Sequence, residues 1–260
     1  MLEAKDVAFA VNGKVLLDKV SLSFTPGKIC ALVGHNGSGK STLIKLLAQQ
    51  QATSSGQIAL DQKPLSKWSE KAFAREVAYL PQHLPATDNL TGYELVSFGR
   101  YPWHGLLGRL TKADHQAINE AMALTGTQDY AERLVDTLSG GERQRLWIAM
   151  LLAQQTRYLL LDEPLSALDV AHQVEVMSLV RKLSRELDKS IIIVVHDINM
   201  AARFCDEIVA LHSGQILTKG SVNEVFQESA LKSIYALRCR LPIMPRGMRW
   251  PCQGSCRRYD

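Results

Sequence analysis

The stretch Ile29-Cys30-Ala31-Leu32-Val33-Gly34-His35-Asn36-Gly37-Ser38-Gly39-Lys40-Ser41 decides the fold of this chain. Its first five residues form a continuous apolar run, the pattern of a central strand buried on both faces. The next eight fit G-x-x-x-x-G-K-S, in which glycines let backbone N–H groups converge on an anion with no Cβ in the way. Lys40 brings a point charge to the β- and γ-phosphates of a nucleotide, and the Ser41 hydroxyl can ligate Mg²⁺. Thr42 opens a helix, read over residues 41–50, whose positive dipole end faces the same anion. A buried strand before the loop and a helix after it make this a nucleoside-triphosphate site rather than a chance match.

Outward from the loop, short strand patterns fill residues 3–33, with 15–17 and 20–24 separated by turn signals at Asn12-Gly13 and Pro26-Gly27. Two more strands are read over 56–60 and 77–80. From Pro85 to about Asp136 strand patterns stop and helical periodicity appears at 94–98 and 112–124, which reads as an inserted helical subdomain. Helix 142–154, strand 158–162, helix 170–187 and strand 191–195 then alternate. That alternation predicts a parallel sheet with crossover helices.

Two further segments carry chemistry. Asp162 closes a fully apolar strand, where a carboxylate is costly unless it meets a cation, and Mg²⁺ answers that need. Glu163 beside it is placed to polarise an attacking water as general base. Ser139-Gly140-Gly141 opens another helix, so it is a second anion-binding terminus. One γ-phosphate has no room for both glycine turns of the same chain.

With these motifs in this order, the sequence resembles the nucleotide-binding domains of ATP-binding cassette (ABC) transporters over residues 1 to about 235. The resemblance implies an α/β fold of the P-loop NTPase kind. Such a fold has a mostly parallel core sheet, an N-terminal antiparallel β part and a helical subdomain inserted at about 85–136. It implies a head-to-tail homodimer in which Ser139, Gly140 and Gly141 contact the γ-phosphate held by the other copy. Gln82 matches the glutamine that senses Mg²⁺ and the γ-phosphate, Ser166-Ala167-Leu168-Asp169 the loop that crosses the dimer interface, and His196 the switch histidine. The adenine-stacking aromatic of many members falls on Val11 here, with Phe9 two residues away on the same strand face, so a stacking residue is not expected.

Within the family, residues 97–105, 138–152 and 196–202 look most similar to ATPases of ferric hydroxamate uptake systems. That likeness implies ATP and Mg²⁺ as cofactors, an integral-membrane permease as partner, and a periplasmic substrate-binding protein acting through it. The expected location is the cytoplasmic face of a bacterial inner membrane. Vitamin B12, haem and catecholate chelates are the alternative cargoes. Tyr101, Pro102 and Trp103 suit either permease docking or packing within the helical insert.

Composition narrows the alternatives. The net charge of +4 is uneven: residues 236–260 hold six arginines and one acidic residue, leaving the rest near −1. No nucleic-acid surface is expected from that balance. The opening residues lack the order of a signal peptide, and no apolar run reaches the roughly 18–20 residues that span a bilayer. Cys30 and Cys205 sit in settings typical of buried thiols, while Cys239, Cys252 and Cys256 have no recognisable ligand spacing. The basic tail after Tyr235 has neither helical nor strand periodicity and receives no function. A soluble cassette ATPase would carry a coiled coil or a second cassette, and neither is present. A non-hydrolytic regulatory subunit would often lack one of Gln82, Glu163 and His196, and all three are intact.

Overall fold

The computed structural model describes residues 1–104, 108–166 and 168–225. Gly105, Ala167, residues 226–235 of the expected cassette and the arginine-rich tail with its three cysteines lie outside the described residues.

The chain begins with β1 (Leu2–Val11) and β2 (Lys14–Phe24), paired antiparallel. Asn12 and Gly13 join them at φ of 50° and 77°, the tight two-residue turn that suits the twist of a hairpin. The two short runs expected at 15–17 and 20–24 are one strand, bent where Lys19 adopts a φ of 46°. β3 (Ile29–Val33), α1 (Lys40–Leu47), β4 (Ser55–Leu60), β5 (Lys63–Pro64), α2 (Glu70–Phe73) and β6 (Val77–Leu80) follow. The helices α3 (Gly92–Ser97), α4 (Tyr101–His104) and α5 (Lys112–Thr125) come before α6 (Gly140–Ala153). The chain continues as β7 (Tyr158–Leu161), α7 (Val170–Leu187), β8 (Ser190–Val194), α8 (Ile198–Phe204), β9 (Glu207–His212), β10 (Gln215–Ser221) and α9 (Val222–Val225).

The strands form two sheets. An antiparallel sheet runs β2-β1-β4-β5, and a six-stranded sheet runs β10-β9-β3-β8-β7-β6. In the second, β6 to β9 with β3 are parallel, and only β10 runs antiparallel, at the edge. β3 therefore lies at the centre, as its unbroken apolar run requires. Its side chains alternate between two cores. Ile29, Ala31 and Val33 face a core built with α3, α5, α6, α7 and α8, while Cys30 and Leu32 face a core shared with α1 and the antiparallel sheet. β7 and β8 divide their residues the same way, which is the period of two of any strand.

Along with β5, α2, α8 and α9, the strands β9 and β10 are among the elements the sequence reading leaves out. Their turn is Ser213-Gly214, with φ of 48° and 79°, and β10 alternates exposed and half-buried residues as an edge strand does. Helices α3, α4 and α5 leave and rejoin the sheet through paired ends: Gly92 N–H donates to Arg133 O and Val135 N–H to Leu90 O, each at 2.9 Å.

Candidate functional site

The glycine loop sits where β3 ends and α1 begins, at the carboxyl end of the parallel sheet. There such folds place ligands. Gly34 has a φ of 144°, and a Cβ on it would lie 2.2 Å from Leu211 O and 2.8 Å from Ser38 Oγ. Only glycine lets the loop lie this close to β9. Gly214 N–H also donates to Ser38 O at 3.1 Å, and the His35 ring meets His212 edge-on at 4.8 Å. Leu211, His212 and Gly214 thus shape the loop and are missed from sequence, because only the β9–β3 pairing brings them there.

Lys40 is 4% exposed, and its ammonium donates to Gly34 O at 2.9 Å and His35 O at 3.0 Å. Burial lowers its pKa, opposed by the nearby carboxylates of Glu163 and Asp162. Ser41 Oγ donates to Asp162 Oδ1 at 3.0 Å, and Asp162 is fully buried. Burial raises the Asp162 pKa and the charge of Glu163 adds to the rise, while the Ser41 hydrogen bond pulls it down.

Glu163 stands at a φ of 51°, a left-handed conformation uncommon for a side chain of this size, and this directs the carboxylate off the end of β7. Gln82 Nε2 donates to Glu163 Oε2 at 2.7 Å, and His196 Nε2 lies 2.8 Å from Glu163 Oε1. One carboxylate is therefore oriented from two sides, by residues two positions past the ends of β6 and β8. A cavity of about 470 Å³ is lined by Gly37, Lys40, Ser41, Gln82, Glu163 and His196, with Asn36, Gly39, Thr42 and Leu16 completing its wall.

Val11, Ser139, Gly140, Gly141 and Asp169, all expected at the nucleotide, lie outside the lining of that cavity. Val11, at the end of β1, is 45% exposed and is not in its lining, while Phe9 packs against the core beside α1. Leu16 supplies the apolar wall instead, carried there by the Asn12-Gly13 hairpin. Ser139, Gly140 and Gly141 open α6. Ser139 Oγ accepts from Glu142 N–H, and the Glu142 carboxylate accepts from Ser139 N–H at 2.8 Å. Gly140 lines a second cavity of about 590 Å³, which shares Gln82 and Glu163 with the first. Asp169 caps α7, accepting from His172 N–H at 2.9 Å. The second glycine turn and Asp169 thus stand outside the loop cavity of their own chain.

The oxygen donors at Ser41 and Asp162 suit a hard divalent cation. Among the described residues no cluster of three or more His, Cys, Asp or Glu could cage a metal. One hydroxyl and one carboxylate, completed by phosphate and water, is the sparse set Mg²⁺ prefers over an all-protein cage. The residues fit Mg²⁺.

The ABC transporter family profile matches residues 17–166, more than half of the chain. The chain belongs to the ABC transporter family. This ABC ATPase is 40% identical over 240 residues to the achromobactin transport ATP-binding protein of Dickeya dadantii, covering 92% of this chain and 89% of that one. It is 39% identical over 251 residues to the iron(3+)-hydroxamate import ATP-binding protein of Bacillus subtilis, covering 96% and 93%. In fold it is similar to a transporter described as metal-chelate type in an inward-facing conformation, with a TM-score of 0.80 at 24% identity, covering 91% and 88%. The α/β fold with its P-loop and antiparallel N-terminal sheet is the fold of this family. No helix among the described residues is long and apolar enough to cross a membrane.

The Tyr101-Pro102-Trp103 triplet divides. Tyr101 is 55% exposed, whereas Pro102 is buried and Trp103 lies between the guanidinium groups of Arg75 and Arg100, at 4.8 and 5.0 Å. Packing claims two of the three.

Proposed function

We propose that this ABC ATPase hydrolyses MgATP to power uptake of an iron(III)–siderophore, an iron(III)-hydroxamate first, through an inner-membrane permease. The observation that carries the catalytic half is the Glu163 carboxylate held between Gln82 and His196 beside Lys40. The cargo is supported by the relatives, which are transport proteins for achromobactin and iron(3+)-hydroxamate. Ferric enterobactin and hemin transport proteins at 36% and 38% identity keep catecholate chelates and haem as alternatives.

In this reading residues 34–42 cradle the phosphates, Lys40 pairs with them, and Ser41 and Asp162, with Gln82 beside them, hold Mg²⁺. When bound, Mg²⁺ neutralises phosphate charge as the terminal bond breaks. Glu163 accepts the proton of the attacking water, Gln82 and His196 keep its carboxylate aimed, and His196 meets the γ-phosphate. Val11 gives adenine apolar contact at most. A second copy packs head to tail, so that Ser139, Gly140 and Gly141 of one chain close on the nucleotide of the other and Asp169 lies at the seam. The cassette is residues 1–235, and closure carries its helical subdomain, about 85–136, together with the permease. The chain works at the cytoplasmic face of the inner membrane without nucleic acid, and a periplasmic binding protein delivers the chelate.

The test has two arms. Phosphate release by the purified chain should fall by about 10²–10⁴ in Glu163→Gln, the scale of a general base, while ATP binding persists. Normal turnover in that variant would overturn the assignment of the base. Co-purification of tagged Glu163→Gln from native membranes with ATP should bring down a polytopic permease, and uptake of radiolabelled ferrichrome by that system decides the cargo.

A further inference from the structure

The second glycine turn is not a free-standing helix start. A Cβ on Gly141 would lie 2.5 Å from His172 Cδ2 and 3.0 Å from its Cγ, so the imidazole lies flush against the Gly141 backbone. A Cβ on Gly140 would meet Leu168 Cδ2 at 3.6 Å. Both neighbours come from the segment that leads from Ser166 into α7. The ring has a fixed attitude, because His172 Nδ1 lies 2.9 Å from Asp169 Oδ1. An ionised carboxylate only accepts, so Nδ1 carries the proton and Asp169 sets both the tautomer and the tilt of the ring.

We propose that His172 is a positioning residue: its ring clamps the second glycine turn to the Asp169 segment, so each copy presents the two to its partner's nucleotide as one rigid surface. This rests on the head-to-tail arrangement proposed above. Neither His172 nor Gly141 lines the cavity around Lys40. Loss of the clamp should therefore weaken ATP-driven association of two copies and leave nucleotide binding by each chain's own loop intact. Nor should it unfold α7, since the helix cap uses the backbone N–H of residue 172, which alanine, asparagine and phenylalanine all keep.

The test uses the full chain carrying Glu163→Gln, in which ATP-bound dimers are expected to accumulate, with sedimentation as the readout of association. His172→Ala should raise the ATP concentration for half-maximal dimer about tenfold, the worth of one contact to a charged group, while binding of trinitrophenyl-ATP to the chain stays within about twofold. His172→Asn keeps a donor for Asp169 without the ring, and His172→Phe keeps the ring without the donor; each should lie between Ala and the parent. Gly141→Ala drives a methyl into the imidazole and should abolish the dimer, and adding His172→Ala should restore it at least in part. Unchanged dimerisation in His172→Ala, or no relief of Gly141→Ala by His172→Ala, overturns the proposal. A parent that stays monomeric at saturating ATP overturns the head-to-tail reading first and the clamp with it.

Discussion

Asp162 shows how far a single residue can set stability against function. Burial holds its folded pKa above the ordinary 3.8, so the folded chain keeps a proton that the unfolded chain releases first. Between those two values the native state binds more protons, and stability falls as pH rises through the window. Asp162→Asn should remove that decline. It should also raise the melting temperature of the nucleotide-free chain at neutral pH, by on the order of 1 kcal/mol or about 2 °C, in a melting series from pH 4 to 8. The same variant should lose protection by MgATP. Lys40→Ala should lose it too, forfeiting the roughly 2.7 kcal/mol that ligand at a hundred times its Kd contributes. Asp162 was legible in the sequence because it breaks a local rule, a charge at the end of an apolar run, and Lys40 because it closes the glycine pattern that follows one. The left-handed backbone of Glu163 was not, since nothing in Asp162-Glu163-Pro164 forces it without the surrounding packing.

Among the elements, the helices between β6 and α6 are fastened by one buried ion pair. Arg100 Nε donates to Asp114 Oδ1 at 2.7 Å, and the Arg100 guanidinium also reaches Ala153 O at 2.7 Å on α6. His104 Nε2 adds a contact to the other Asp114 oxygen at 2.6 Å. Burial alone would raise the Asp114 pKa, but hydrogen bonds from Thr111, His104 and Arg100 outweigh it and hold the carboxyl well below the usual range. Its contribution is therefore complete above about pH 4 and fades only in stronger acid. Arg100→Ala leaves that buried carboxylate without its guanidinium partner, held only by Thr111 and His104, and should cost about 3–5 kcal/mol in urea unfolding at pH 7. Periodicity found α5 almost to the residue and placed α7 at its full extent. It could not find the Arg100–Asp114 pair, whose partners sit on two elements joined by a loop. Nor did it find β9 and β10, because the helices on either side of them, α8 and α9, are too short to show a helical period of their own.

At the scale of the molecule, two copies should meet only with nucleotide between them. Glu163→Gln is expected to sediment as a monomer alone and as a dimer of twice the mass with ATP, and a monomer under both conditions would count against the paired arrangement. Within one copy, the parallel sheet is a partition. Cys30 faces the core beside α1, and Cys205 belongs to the core on the helical side. Burial pushes the Cys30 thiol far up and the Cys205 thiol up to about 12, so neither reacts until its own compartment opens. The two thiols are thus a pair of native gauges, one on each side of a wall. The rate at which an alkylating reagent reaches each, read by peptide mass, reports separately how often the nucleotide side and the helical side breathe.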